Sequence, residues 1–187
     1  MNVNDNLKFE KELDAEMEAI WENPYRDGII HYESYKKELV KLLWVLKEPH
    51  GDGYRDHRDF FSCPKDFYPK WMNTFGNVMR VSWAILENVY EYSEIPPVNK
   101  EDCTIDGSFI LEYVAIININ KKGGESRTPA GKLEKEYAKK EVKNFLLKQI
   151  EFINPRIIIN CHRVGKFIDD QLGGNILNKI HGEGYGK

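Results

Sequence analysis

LLWVLKEPHG, residues 42–51, decides the class of fold. Leu42 to Leu46 is apolar without a break, and Pro49 and Gly51 close the run. A strand with one wet face alternates apolar and polar residues, whereas a strand covered on both faces need not. The stretch therefore predicts a short strand buried on both sides. Two later stretches repeat the pattern: LEYVAIINI at 111–119 and RIIINCH at 156–162.

Between and before these runs the period changes to that of a helix. Leu7, Leu13, Met17, Ile20 and Trp21 predict a helix over Asn6–Asn23, with Asn4 or Asp5 as its cap and Pro24 as its stop. A short helical stretch falls near 36–40. Val78, Val81, Ile85, Leu86 and Val89 share one side of a helix over Asn73–Tyr92. Leu133–Ile153 reads as the longest helix, with Leu146, Leu147, Ile150 and Ile153 as its core stripe and Pro155 beyond it. Val164–Leu172 reads as a last helix ended by Gly173 and Gly174. Residues 52–69 and 121–131 read as loops, and a loop as long as the first is often functional. Strand, helix, strand, helix, strand is the α/β signature, with a central, mainly parallel sheet and right-handed crossovers. Ligands of such sheets bind beyond the carboxyl ends of the strands. Here those ends carry Lys47-Glu48-Pro49-His50, Asn118-Ile119-Asn120-Lys121 and Cys161-His162-Arg163, all polar.

Composition narrows the class. The 187 residues suffice for one domain with a proper core. Apolar residues make up 41% and charged residues 30%, the balance of a globular chain, and no apolar run is long enough for a membrane helix. The polar, acidic start is unlike a secretory signal, so a soluble, cytoplasmic protein is expected, with no membrane partner. Cys63, Cys103 and Cys161 are scattered and form no CxxC pair, which excludes a zinc ribbon or a disulfide framework. His50 and His57 are seven apart and no HxH or HxxxH exists, so no metal site is expected. The net charge of −3 is uneven. Residues 1–30 hold eight acids and three bases, whereas residues 115–187 hold fourteen bases and eight acids. A protein of this kind can meet nucleic acid through one basic face. The Lys and Glu residues alternating from Lys132 to Lys143 read chiefly as a solvated helix face.

Read in order, the three strand ends resemble the uracil-DNA glycosylase superfamily, in particular its family-four-like and related bacterial branches. That family's first strand ends in Gly-Glu-Ala-Pro-Gly, and Lys47-Glu48-Pro49-His50-Gly51 is the matching stretch. Its next core strand ends in Asn, followed by Lys and an Asn-Arg-x-Pro turn; Asn118, Lys121 and SRTP at 126–129 correspond. A helix ending in Gln-Ile-x-x-x-x-Pro and an apolar strand follow, as in QIEFINPRIIIN at 149–160. The similarity covers about residues 40–170. The iron–sulfur cysteines of family four are absent, so no cluster or other cofactor is expected. The family's late His-Pro-Ser motif is approached only by His181, with Gly182 in the place of proline. The resemblance implies a three-layer α/β/α fold in one domain over 1–187, with 1–35 as an N-terminal helical extension. It also implies a monomeric DNA-repair glycosylase acting on uracil or another damaged base, with single- or double-stranded DNA as the partner.

The chemistry assigns roles. Cleaving an N-glycosidic bond calls for a carboxylate or an oriented water at the anomeric carbon, donors for the departing base and a pocket for a flipped nucleotide. Glu48 suits the first task, with His181 as the second catalytic candidate. Asn118 presents a donor beside an acceptor, matching a uracil edge. Phe60, Phe61 and His162 are further base-binding candidates, with Phe75 a rival for the stacking position. Lys121, Lys122 and Arg127, in one loop with Gly123 and Gly124, are the candidate phosphate contacts. A non-catalytic nucleobase, nucleotide or nucleic-acid binder on the same fold is the alternative. A flavodoxin-like domain ranks last, because no phosphate-binding loop follows the first strand.

Overall fold

A computed structural model describes residues 3–49, 56, 58–59, 72–99, 101–124 and 130–161. Helix α1 (Val3–Ile20) leads into β1 (Gly28–Ile29), α2 (Tyr32–Lys37) and β2 (Leu42–Leu46). Then come α3 (Met72–Leu86), 3-10 turns at Tyr92–Glu94 and Ile110–Tyr113, β3 (Val114–Asn118), α4 (Ala130–Tyr137), α5 (Lys140–Ile153) and β4 (Ile157–Asn160). The class is α/β. The sheet is mixed and open, in the order β1-β3-β2-β4. β2 runs parallel to both neighbours, with Leu43 opposite Ala115 and Ile158. β1 is antiparallel to β3.

The three apolar runs became the three parallel strands; β2 and β3 are covered on both faces, whereas β4, expected to be buried as well, is only half-buried along its length. Successive strand residues point to opposite faces. Leu43, Val45, Ala115 and Ile117 face α1 and α5, packing with Leu13, Met17, Trp21, Phe145, Leu146 and Ile150. Leu42, Trp44, Val114 and Ile116 face α3, packing with Phe75, Val78 and Met79. β3 and β4 lie on opposite sides of β2. Steps in opposite directions need helices on opposite faces when both crossovers have the same hand, which is the arrangement seen.

Several sequence expectations are corrected. α1 already includes Asn4 and Asp5, so neither caps it. α2 starts earlier than expected, because His31 accepts from the Ser34 amide and caps it. α3 stops at Leu86, and Val81 on its predicted core side is partly exposed, while Phe75, Val78 and Met79 are buried. The predicted helix Leu133–Ile153 is two helices. At about 100° per residue, Tyr137 falls roughly half a turn away from the middle of the stripe Val142, Phe145, Leu146 and Ile150. One continuous helix would turn Tyr137 away from the core it packs against, and the break at Ala138–Lys139 rephases it. The two-residue β1 was missed, being too short for any period to show.

α5 ends at Asn154, which is left-handed (φ 48, ψ 56). Its backbone N–H donates to the Ile150 carbonyl at 2.9 Å. Asn tolerates this conformation and alanine does not. Asn154→Ala is expected to cost about 1 kcal/mol in thermal or urea unfolding, and Asn154→Gly to be neutral or better. An unchanged midpoint in Asn154→Ala would contradict the assignment.

Candidate functional site

Two side-chain networks converge on the carboxyl ends of β2 and β3. The first is buried. Lys121, two residues past the β3 neighbour Ile119, is fully buried, as is the side chain of Asp27 just before β1. Lys121 Nζ donates to Asp27 Oδ1 at 2.6 Å and to Gln149 Oε1 at 2.8 Å. Asp27 Oδ2 accepts from the backbone and side-chain nitrogens of Asn118 at 2.7 and 3.1 Å. Gln149 Nε2 donates to Asp27 Oδ1 and to its carbonyl. The ammonium lies 5.6 Å from the centre of the Phe145 ring. Burial pushes the Lys121 pKa down; the Asp27 charge and hydrogen bond oppose this and Arg58 adds to it, leaving a net fall. This network ties β1, the end of β3 and α5 into one unit.

The second network holds Glu48. The chain beyond β3 stays paired with the chain beyond β2: Ile119 N donates to Leu46 O, Asn120 N to Lys47 O and Gly124 N to Pro49 O. These bonds bring Asn120 and Gly124 against Glu48, whose side chain is only 6% exposed. Asn120 Nδ2 reaches Glu48 Oε2 at 3.4 Å, and Asn120 Oδ1 accepts from the Lys122 amide. Lys47 Nζ lies 3.2 Å from Glu48 Oε1. That contact is a charge pairing without hydrogen-bond geometry, and Oε1 is buried with no hydrogen-bond partner. A buried acceptor without a donor is costly, so such a group usually has a task other than stability. Asn160 Oδ1, at the end of β4, is buried and unpartnered in the same way.

A third cluster ties the segment after β2 to α1. Arg58 Nη1 meets Glu10 at 3.0 Å, and its Nη2 meets Asp14 at 3.0 Å and Asp56 at 2.7 Å. Arg26 pairs with Glu18 and lies 3.7 Å from Asp14. Between this clamp and the Asp27 network is a cavity of about 10 Å³, lined in part by Asp14, Asp27, Arg58 and Gln149. Burial raises the pKa of Glu10, with Arg58 opposing. Burial also pushes Asp56 up, but hydrogen bonds and charge from Arg58 outweigh it, so Asp56 ends below its ordinary 3.8. The two groups act oppositely as pH falls. Asp56 binds fewer protons folded than unfolded near pH 4, so its contribution is lost as pH drops through its folded value. Glu10 binds more protons folded than unfolded, so the cost of burying its charge disappears as pH drops through its own raised value. Glu10→Gln is therefore expected to steepen the loss of stability as pH falls through the acidic range. Urea midpoints across that range check this, and an unchanged slope would contradict it.

The sequence candidates are distributed unevenly over this geometry. Glu48 stands at the centre of the site. Lys121 is corrected: its ammonium points inward to Asp27 and Gln149, because a lysine this deep must be paired, and so it does not face phosphate. Asn118 is 1% exposed and its amide donor is committed to Asp27; the amide beside Glu48 belongs to Asn120. Lys122 is exposed. Phe75 is buried in the α3 face of the core, which removes it as a rival stacking group. Phe60, Phe61, His162, His181 and Arg127 lie outside the described residues. Sequence reading missed Asp27, Gly124 and Arg58, and passed over Asn120. Gln149 left a trace: it is the polar residue on the apolar stripe of α5, which signals a buried polar partner. Among the described residues no group of three His, Cys, Asp or Glu is arranged to hold a metal ion, and no helix is long and apolar enough to cross a membrane. Comparison with protein-family models, with curated proteins and with solved structures gives no match.

Proposed function

We propose that this chain is a DNA glycosylase of the uracil-DNA glycosylase type, built on a three-layer α/β/α fold, that hydrolyses the N-glycosidic bond of uracil or another damaged base. One observation carries the reading: the Glu48 carboxylate is buried at the carboxyl end of the central strand with Oε1 lacking a hydrogen-bond partner. The carboxyl ends of the strands are where open α/β sheets bind ligands. A carboxylate whose Oε1 has no donor would serve to orient a water or to stabilise positive charge on a sugar. Lys47 compensates its charge, and Asn120 fixes its second oxygen. Asn118 sets the end of β3 through Asp27, and the exposed Lys122 on the same segment would meet a phosphate. No metal is required by this chemistry.

The test is incubation with single- and double-stranded DNA carrying uracil or other damaged pyrimidines, followed by alkali. Strand breaks at the modified position are expected, and their absence across the panel would overturn the reading.

A second reading has its own observation. Glu48 Oε1 is covered by the chain itself, with Gly124 lying on the carboxylate. A covered carboxylate fits a protein that binds a nucleobase, nucleotide or single strand without cleaving it. Thermal shifts with free bases and nucleotides, together with a silent cleavage assay, would favour it.

A further inference from the structure

We infer that Gly124 is the positioning residue of Glu48: its bare Cα forms the wall against which the carboxylate rests. Glycine is often placed by the backbone, where φ is positive. That is so for Gly28 and Gly107, but not for Gly124. Space explains it instead. A Cβ at position 124 would overlap Glu48 Cδ and both carboxylate oxygens, and those three atoms are its nearest neighbours. All belong to the far end of one side chain. A methyl group there leaves the backbone undisturbed and displaces the carboxylate.

The wall is itself fixed. Gly124 N donates to Pro49 O at 2.8 Å, one residue beyond Glu48, so wall and carboxylate share an anchor. At the other end of the Lys122–Gly124 segment, Lys121 is held by Asp27 and Gln149. Asn120 completes the cradle from the same segment. The chain after β3 thus sets where the carboxylate of β2 points, and any side chain at 124 moves it. The inference deepens the glycosylase reading and rests on it for what the carboxylate does once positioned.

A double-mutant cycle on folding stability tests the wall without requiring activity. Gly124→Ala alone is expected to lower the folding equilibrium constant about tenfold. In a Glu48→Ala background the same change is expected to have little effect, because nothing is left to displace. In a Glu48→Asp background, where the carboxylate is retained but drawn back by one methylene, the effect is expected to be intermediate. Equal losses in all three backgrounds would overturn the inference, as would no loss in any. If the wild-type protein releases base from DNA, Gly124→Ala is expected to lower kcat at least about tenfold with KM within about twofold; unchanged kcat would also overturn it. A protein that shows the coupling but releases no base keeps the wall and loses the glycosylase reading, so the two failures are separable.

Discussion

Replacing Asp27 by alanine is expected to destabilise the protein by about 3–5 kcal/mol, the range for breaking a buried ion pair from one side. The magnitude follows from what is left behind. Lys121 would lose its counter-charge at a fully buried position and keep only Gln149 as a polar partner, so it must bear an unpaired charge or give up its proton. Asn118 would lose the acceptor for both its backbone and its side-chain nitrogen. Lys121→Met should cost less, because it removes the charge and leaves Asp27 its three N–H donors from Asn118 and Gln149. The double variant should cost less than the sum of the two singles, since each removes the other's unpaired charge. Urea unfolding measures all three, and a loss below about 1 kcal/mol in Asp27→Ala would show that the pair does not hold the end of β3.

Glu48→Gln is expected to reduce base release at least about 100-fold, the lower end of what a positioned acid or base contributes. Gln keeps the shape and can still meet Asn120, so folding should be preserved. It removes the negative charge that the proposed reaction sets against a developing positive sugar, and it replaces one acceptor by a donor. Stability is compared in the same preparations, and removing the charge from a carboxylate whose Oε1 lacks a hydrogen-bond partner is expected to leave it equal or improved. A variant that folds as well as the wild type and cleaves as fast would place the chemistry elsewhere.

Much of the fold was legible in the sequence. Leu42–Leu46 could be read to the residue, because five unbroken apolar positions with a proline stop leave few alternatives. The α/β class followed from the three such runs. Boundaries were harder where local and tertiary demands compete. LEYVAIINI spends Leu111 and Tyr113 on a 3-10 turn before the strand begins at Val114. The split between α4 and α5 was present in the phase of Tyr137 against Val142, but not in any breaker residue. The site was legible only in part. A glutamate at a strand end could be singled out from chemistry and resemblance together. The partners that fix it come from chain far away: Asp27 acts across 91 residues on Asn118, and Asn120 across 72 on Glu48. Lys121 looked like a surface cation because lysines usually are. Its burial depends on Asp27 and Gln149 meeting it, which no local pattern announces. Gly124 read only as a residue of the loop between Lys122 and Arg127, and the position of a carboxylate from another strand shows why it lacks a side chain.

The most direct test of Glu48 as the working group is to count free base released from uracil-bearing DNA by chromatography, under single turnover, for wild type and Glu48→Gln side by side. Release by the wild type and its near-complete loss in a Glu48→Gln protein of unchanged unfolding midpoint is the expected result. Equal release by both proteins, or none from the wild type across uracil and other damaged bases, would contradict it.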